Sequence, residues 1–276
     1  MIVYPDVSQP FREAFEQIAA GIIQAVGEPV EIKVLAREAT ERDFQGALDG
    51  REQDTVVLLG QRAVGFYERR PAPKHSVFVS GVDRLPGQTS LPGVSLALDP
   101  ALTLAALRRL WPAFQKVVVY YNARDEPWFE RVKTLAVSES VILESVSVKD
   151  VFEAARALGE TFKRLDPKTT ALWFGRDTIA LDTELLYPYV LEQSWDRGIA
   201  VVSDTIAHVR RGFLFAYYPN YTDVGAEVGQ LIRSPRPGFQ WSRAAEVTLN
   251  ARTAKHLGVV VPPDFMQKAR PVFQAR

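Results

Sequence analysis

The side chains that could carry chemistry in this chain are few and scattered. Three histidines, His75, His208 and His256, stand far apart with no H-E-x-x-H or other paired spacing. Zinc needs ligands that converge, so each isolated histidine reads as structural or solvated rather than as a metal ligand. Cysteine is absent, which removes disulfides, thiolate metal sites and a cysteine nucleophile together. No G-x-G-x-x-G follows an apolar run, and no G-x-x-x-x-G-K-[ST] or G-x-S-x-G occurs. Carboxylates are numerous, yet no pair has the spacing or apolar setting of an acid/base couple. These residues predict a protein that is not an enzyme and needs no cofactor and no metal.

What remains are polar and aromatic residues where short apolar runs end. They are the stretch Asp6 to Gln9 with Ser8, then Gln61 and Arg62, Asp83, Asn122 and Arg124, Arg176 and Asp177, and Ser203 and Asp204. Arg62 and Arg176 suit a carboxylate, Asp177 and Asp204 an amine, and Tyr121, Trp128 and Tyr218 a flat group. Plainer roles compete. Ser8, Asp177 and Asp204 stand where helix N-caps belong, and aromatics at strand ends are more often core or rim. An arginine at a helix start opposes the dipole, so capping does not explain Arg62 or Arg176.

The elements that must position these residues follow from periodicity. Runs such as Ile2 to Tyr4, Val30 to Leu35, Thr55 to Leu59 and His75 to Ser80 alternate with stretches whose apolar residues recur every three or four positions, for example Phe11, Phe15, Ile18 and Ile22. That alternation is the pattern of βαβ units. Either Asp6 or Ser8 is placed to cap the first helix, with Pro10 in its first turn. A second series follows: Val94 to Leu98, Lys116 to Tyr121, Val141 to Val146, Thr170 to Phe174 and Ile199 to Val202, with helices between them, one from Thr178 to Arg197. The segment Thr55 to Arg62 is echoed by Thr170 to Asp177, which points to two similar lobes. A run from Phe213 to Tyr218, a helix to Ile232 and a final strand and helix ending near Gln267 must return to those lobes. The expected fold class is α/β, with two Rossmann-like lobes of parallel sheet flanked by helices and a ligand site at the carboxyl ends of the strands.

Composition sets outer bounds. The chain has 276 residues, and Lys plus Arg equals Asp plus Glu at 33 each, so the formal net charge is +0. A nucleic-acid partner would leave a basic excess, so none is expected. Hydrophobic residues at 47% and charged residues at 24% describe a globular chain. No run approaches the ~20 apolar residues of a membrane span.

Several segments together resemble the ABC-transporter substrate-binding family with the type I periplasmic-binding-protein fold, in particular its tryptophan/tyrosine-type members. They are Gly93-Val94-Ser95, Pro100 to Pro112 with Lys116 to Asn122, Gly212 to Tyr218 followed by Tyr221 to Gly225, and the ending Leu249 to Pro263. The last is similar to that family's N-x-x-T-A-x-x-L-G-hydrophobic-x-hydrophobic-P close. The resemblance implies a cleft between two lobes joined by three crossings, near Gly93, Gly212 and Pro237. One lobe would be residues 1–93 with 213–237, the other 94–212 with 238–276. It implies a monomer that traps a small polar solute, amino-acid-like or a small carboxylate, and hands it to an ABC permease. By position, the loops at Gln61 to Ala63, Asn122, Arg176 to Thr178 and Asp204 match those lining the family's cleft. A bulky cation at Arg62 stands where small or hydroxyl residues are common in that family. A periplasmic location is expected, and Met1 directly before the first strand reads as a mature form with an added start Met. The alternatives are a ligand-sensing domain of a receptor or regulator and, ranked lower, an enzyme on the same scaffold.

Overall fold

The alternation of apolar runs and amphipathic stretches resolves into two sheets. The structure is a computed structural model that describes residues 1–51, 54–69, 75–175 and 185–274. The chain begins with β1 (Ile2–Pro5), α1 (Phe11–Val26), β2 (Ile32–Leu35), α2 (Glu41–Leu48), β3 (Thr55–Leu59), α3 (Gln61–Glu68), β4 (Ser76–Ser80) and β5 (Gly93–Leu98). It continues with α4 (Ala101–Leu110), β6 (Lys116–Tyr121), α5 (Glu126–Ser138), β7 (Ile142–Ser147), α6 (Val151–Arg164), β8 (Thr170–Phe174), α7 (Leu186–Arg197), β9 (Ala200–Ser203), α8 (Ile206–Arg211) and β10 (Phe215–Pro219). It closes with α9 (Tyr221–Arg233), β11 (Phe239–Ser242), β12 (Ala245–Asn250), α10 (Ala251–His256), α11 (Pro263–Lys268) and β13 (Ala269–Phe273).

Two units result, Met1–Asp99 with Pro219–Ala245 and Pro100–Tyr218 with Glu246–Arg276. The first holds a six-stranded sheet in the order β11-β5-β4-β3-β1-β2. Its strands pair in parallel, as in Ile2↔Ile32, Ile2↔Val57 and Thr55↔Ser76. A parallel sheet covered on both faces needs continuous apolar runs, and Val56 to Leu59 are all buried. Helix α1 covers one face through Phe15, Ile18, Ala19 and Ile22, and it ends at Gly27 in the left-handed region. Helix α9, built from a distant part of the chain, lies against α1. There a Cβ on Gly225 would fall 2.1 Å from the Ile18 carbonyl oxygen, so only glycine permits the approach.

The second unit holds a seven-stranded sheet in the order β13-β12-β10-β9-β8-β6-β7. The parallel register runs Lys116↔Ile142, Lys116↔Thr170 and Ala171↔Ala200. Strand for strand, β7-β6-β8-β9-β10 repeats the order β2-β1-β3-β4-β5 of the first unit. The echo of Thr55 to Arg62 in Thr170 to Asp177 therefore marks equivalent strands, β3 and β8.

Three sequence expectations change. The segment Gly93 to Leu98, expected to open the second lobe, is β5, which pairs with β4 and β11 in the first unit. The chain leaves the first unit after Asp99, returns after Tyr218 and leaves again after Ala245, so each divide lies beyond the expected Gly93, Gly212 and Pro237. The C-terminal stretch is more than one strand and helix: β13 adds a further strand, parallel to β12. Within the described residues the helix expected over 178–197 begins at Leu186, and 178–184 lie outside them.

Candidate functional site

In a parallel α/β sheet, loops that leave neighbouring strands in opposite directions open a crevice at the carboxyl edge. Strand order puts that divergence between β1 and β3 in the first unit and between β6 and β8 in the second. The residues there are the loop after Pro5 with Gly60 and Gln61, and Asn122 with Gly175.

In the first unit Gly60 is the N-cap of α3, with φ 86 and no side-chain cap. A Cβ there would fall 2.6 Å from Phe15 Cζ. Helix α2 is closed by a Thr40/Asp43 capping box and α6 by Asp150, whereas the first turn of α3 keeps its N–H groups open at the crevice. Such a turn favours an anion. Gln61 is exposed, and its Oε1 accepts from Arg84 Nε at 3.0 Å. Arg84 in turn pairs with Glu68, which holds that carboxyl below its ordinary range. Arg62 differs from expectation. Its Nη2 donates to the Ala39 carbonyl at 2.6 Å, its Nη1 to that of Arg37, and its guanidinium lies over Phe66 at 5.5 Å. It staples α3 to the loop after β2, so two of its N–H groups are not available to a carboxylate.

Ser8 is exposed at the same edge but caps nothing: the N-cap of α1 is Pro10, without a side-chain cap. The Gln9 side chain accepts from Glu13 N at 3.3 Å, and Asp6 is ion-paired with Arg12. Arg12 and Glu16 help to line a pocket of about 120 Å3 with Tyr4, Asp6 and Val34.

In the second unit Asn122 is held by its own loop and by the residue after β7. Its Oδ1 accepts from Arg124 N at 3.2 Å, and its Nδ2 donates to the Val148 carbonyl at 3.0 Å. Tyr121 is half-buried, one ring face stacked on Phe129 at 4.1 Å and 9°, and burial raises its pKa. Trp128 is 2% exposed and meets Trp173 edge-on at 5.0 Å. A Cβ on Gly175 would fall 2.3 Å from Trp128 Cζ2. Gly60 with Phe15 and Gly175 with Trp128 are thus the same device: a glycine after the third strand makes room for an aromatic from the helix after the first. Trp128 belongs to the packing under the edge, not to a surface that a ligand touches. Asp204, just after β9, lies 3.5 Å from Trp173 Nε1 and is half-buried. The Tyr218 hydroxyl is turned aside, 2.6 Å from both Glu246 Oε2 and the Arg270 carbonyl, and burial raises its pKa. Arg176 and Asp177 lie outside the described residues.

The carboxyl edge of the first unit therefore carries Ser8, Gln61 and Arg62, and that of the second Tyr121, Asn122 and Asp204. Sequence reasoning passed over Arg12 and Arg84, whose partners show only in three dimensions. It also placed Phe11 in the core stripe of α1, whereas Phe11 is 65% exposed at the carboxyl edge; its position directly after Pro10, before the first full turn, was the available signal. Phe152, 83% exposed in the first turn of α6, is a second apolar side chain at such an edge. The chemistry of these side chains suits binding and orientation of a small molecule. Ser203 Oγ does lie 3.1 Å from His208 Nδ1, but Ser203 is buried and also accepts from Thr205 N, so the pair fixes a loop. Among the described residues no group of three His, Cys, Asp or Glu could hold a metal ion.

No protein-family model matches the chain, and no curated protein matches it. Solved structures do. A ligand-free, open substrate-binding protein with adhesive properties from Clostridium difficile has a TM-score of 0.65 at 15% identity, over 100% of this chain and 98% of that one. An ABC domain in complex with L-Trp from Streptococcus pneumonia has 0.55 at 17% identity, over 99% and 98%. A PurR family transcriptional regulator from Vibrio parahaemolyticus has 0.50 at 16% identity, over 92% and 98%. At these identities the likeness is one of fold: two parallel-dominated sheets flanked by helices, the architecture of type I periplasmic binding proteins.

Proposed function

We propose that the chain is a solute-binding protein in which the carboxyl edges of its two sheets close on one small polar solute, amino-acid-like or a small carboxylate. The observation that carries this reading is the repeated strand order with a crevice in each sheet, one of them at the uncapped start of α3. In this reading the open N–H groups of α3 and the Gln61 side chain take a carboxylate, with Arg176, which follows β8 in the sequence. Asp204 and Asp177 take an amine, and Asn122, Tyr121 and the exposed Phe11 frame the rest. A solute that touches both units only when they are closed shifts the equilibrium toward closure by its differential affinity. An ABC permease then reads that closure, with the protein outside the cytoplasm, as a monomer. The fold shared with the substrate-binding protein and the ABC domain supports this.

The test is a thermal-shift screen of amino acids and small carboxylates, followed by small-angle scattering. A ligand at 100 times its Kd should stabilise the protein by about 2.7 kcal/mol. Asn122→Ala and Asp204→Asn should weaken that ligand, and scattering should show compaction. A screen in which no such compound raises the Tm, or a bound ligand without compaction, would overturn the reading. The regulator of like fold keeps a second reading in view, a ligand-sensing domain. A pull-down that recovers a transcription or signalling partner instead of a permease would favour it.

A further inference from the structure

We propose that the second unit carries a separate site for an organic phosphate, on the edge of its sheet away from the loops after β6, β8 and β9. A pocket of about 750 Å3 opens there, beside Gly212 before β10 and Phe273 at the end of β13. Three arginines line it: Arg210 and Arg211 from the last turn of α8, and Arg252 from the first turn of α10.

These guanidiniums stand apart from others in the chain. Arg12, Arg51, Arg69, Arg84, Arg109 and Arg164 are each ion-paired. Among the described residues the guanidiniums of Arg210, Arg211 and Arg252 have neither an ion pair nor a hydrogen bond. Two are nonetheless held in place. Arg211 lies over the Tyr187 ring at 5.3 Å and Arg252 over Trp195 at 4.9 Å. Trp195 is itself fixed by His256, stacked at 3.8 Å and 3° with its Nε2 2.7 Å from the Trp195 carbonyl. Stacking sets the plane of a guanidinium while leaving its N–H edge free, the arrangement that takes phosphate oxygens in pairs. Cations in the last turn of α8 serve its dipole in any case, but Arg252 opens α10, where a cation opposes the dipole. Its placement calls for another reason.

The rest of the lining sets the ligand's class. Leu191 and Phe273 give an apolar wall too large for a bare ion. Glu192 and Asp196, exposed on α7, repel a naked anion but accept from hydroxyl or amino groups. Phosphate oxygens on the arginines, an organic body along the wall and hydrogen-bond donors toward the carboxylates describe a nucleotide or sugar phosphate.

Isothermal titration of the whole protein with ADP tests this. Binding to the wild type is expected, with at least about a tenfold loss in Arg211→Gln/Arg252→Gln. Arg210→Gln, an exposed and unstacked change that leaves the packing alone, should weaken ADP too. Asn122→Ala, on the other edge, should leave ADP unaffected. No ADP binding to the wild type, undiminished binding in both arginine variants, or an equal loss in Asn122→Ala would each overturn the site. None of these outcomes depends on whether an amino acid or carboxylate binds at the carboxyl edges.

Discussion

His208 shows how burial can set a residue's chemistry. Its ring lies among Tyr187 and Phe213, its Nδ1 faces Ser203 Oγ, and burial, helped by the charge of Arg211, pushes its pKa down to about 4. The ring is therefore neutral in the folded state at pH 7. Because the unfolded chain titrates near its ordinary value of about 6.5, it binds the proton first as pH falls. Stability is then lost between roughly pH 6.5 and pH 4 and levels below that. The ring is partly exposed, so solvent screening limits the effect to about 1–2 kcal/mol. In His208→Gln the denaturant midpoint should fall less steeply across this window than in the wild type. Parallel curves would show that His208 does not titrate as described. The same residue-scale logic reassigns Arg62. From sequence it is a free cation at a helix start, but its partners are carbonyls of Arg37 and Ala39, more than twenty residues away. No local pattern encodes that pairing.

At the scale of elements, the seam between α1 and α9 is tightly constrained by two glycines. A Cβ on Gly21 would fall 1.9 Å from the Thr222 carbonyl oxygen, and one on Gly225 2.1 Å from that of Ile18. Both neighbours are backbone and neither can swing aside. Gly225→Ala should destabilise the protein by about 1–3 kcal/mol through overpacking, read as a lower urea midpoint. Gly46→Ala, at an α2 position with nothing within 4 Å of a Cβ, should not. Equal midpoints for the two variants would remove the seam as a constraint. Elements like these were largely legible in the sequence, because strand and helix periods are local and the Thr55 and Thr170 repeat marks equivalent strands. Sheet membership was not. Whether Gly93 to Leu98 joins the first sheet or the second depends on β4 and β11 as partners, and β13 is a short run, ARPVF, with two of its five residues exposed. The candidate site was half legible for the same reason. Its place at strand ends follows from alternation, but Trp128 reads as a ligand-facing aromatic until Gly175 is seen to leave room for it.

At the scale of the whole molecule, each unit is assembled from pieces far apart in sequence. The first needs residues 1–99 and 219–245, since α9 closes the face of the sheet that α1 covers and β11 pairs with β5. The second needs residues 100–218 and those from 246 onward, since β12 and β13 complete its sheet. A chain cut at 99 therefore leaves α1 with the faces of Gly21, Ile18 and Ile22 open to water and β5 with a bare edge. Exposed apolar surface and an unpaired strand edge are the features that drive association of incomplete folds. Residues 1–99 alone should lack a cooperative unfolding transition and aggregate. Residues 1–99 joined by a flexible linker to 219–245 should give a dispersed amide spectrum and a sigmoidal urea curve, because every partner of α1 and β5 is then present. A cooperative transition in 1–99 alone would mean that α9 and β11 merely decorate a finished core. Failure of the linked form would mean that the first unit also requires the second to fold.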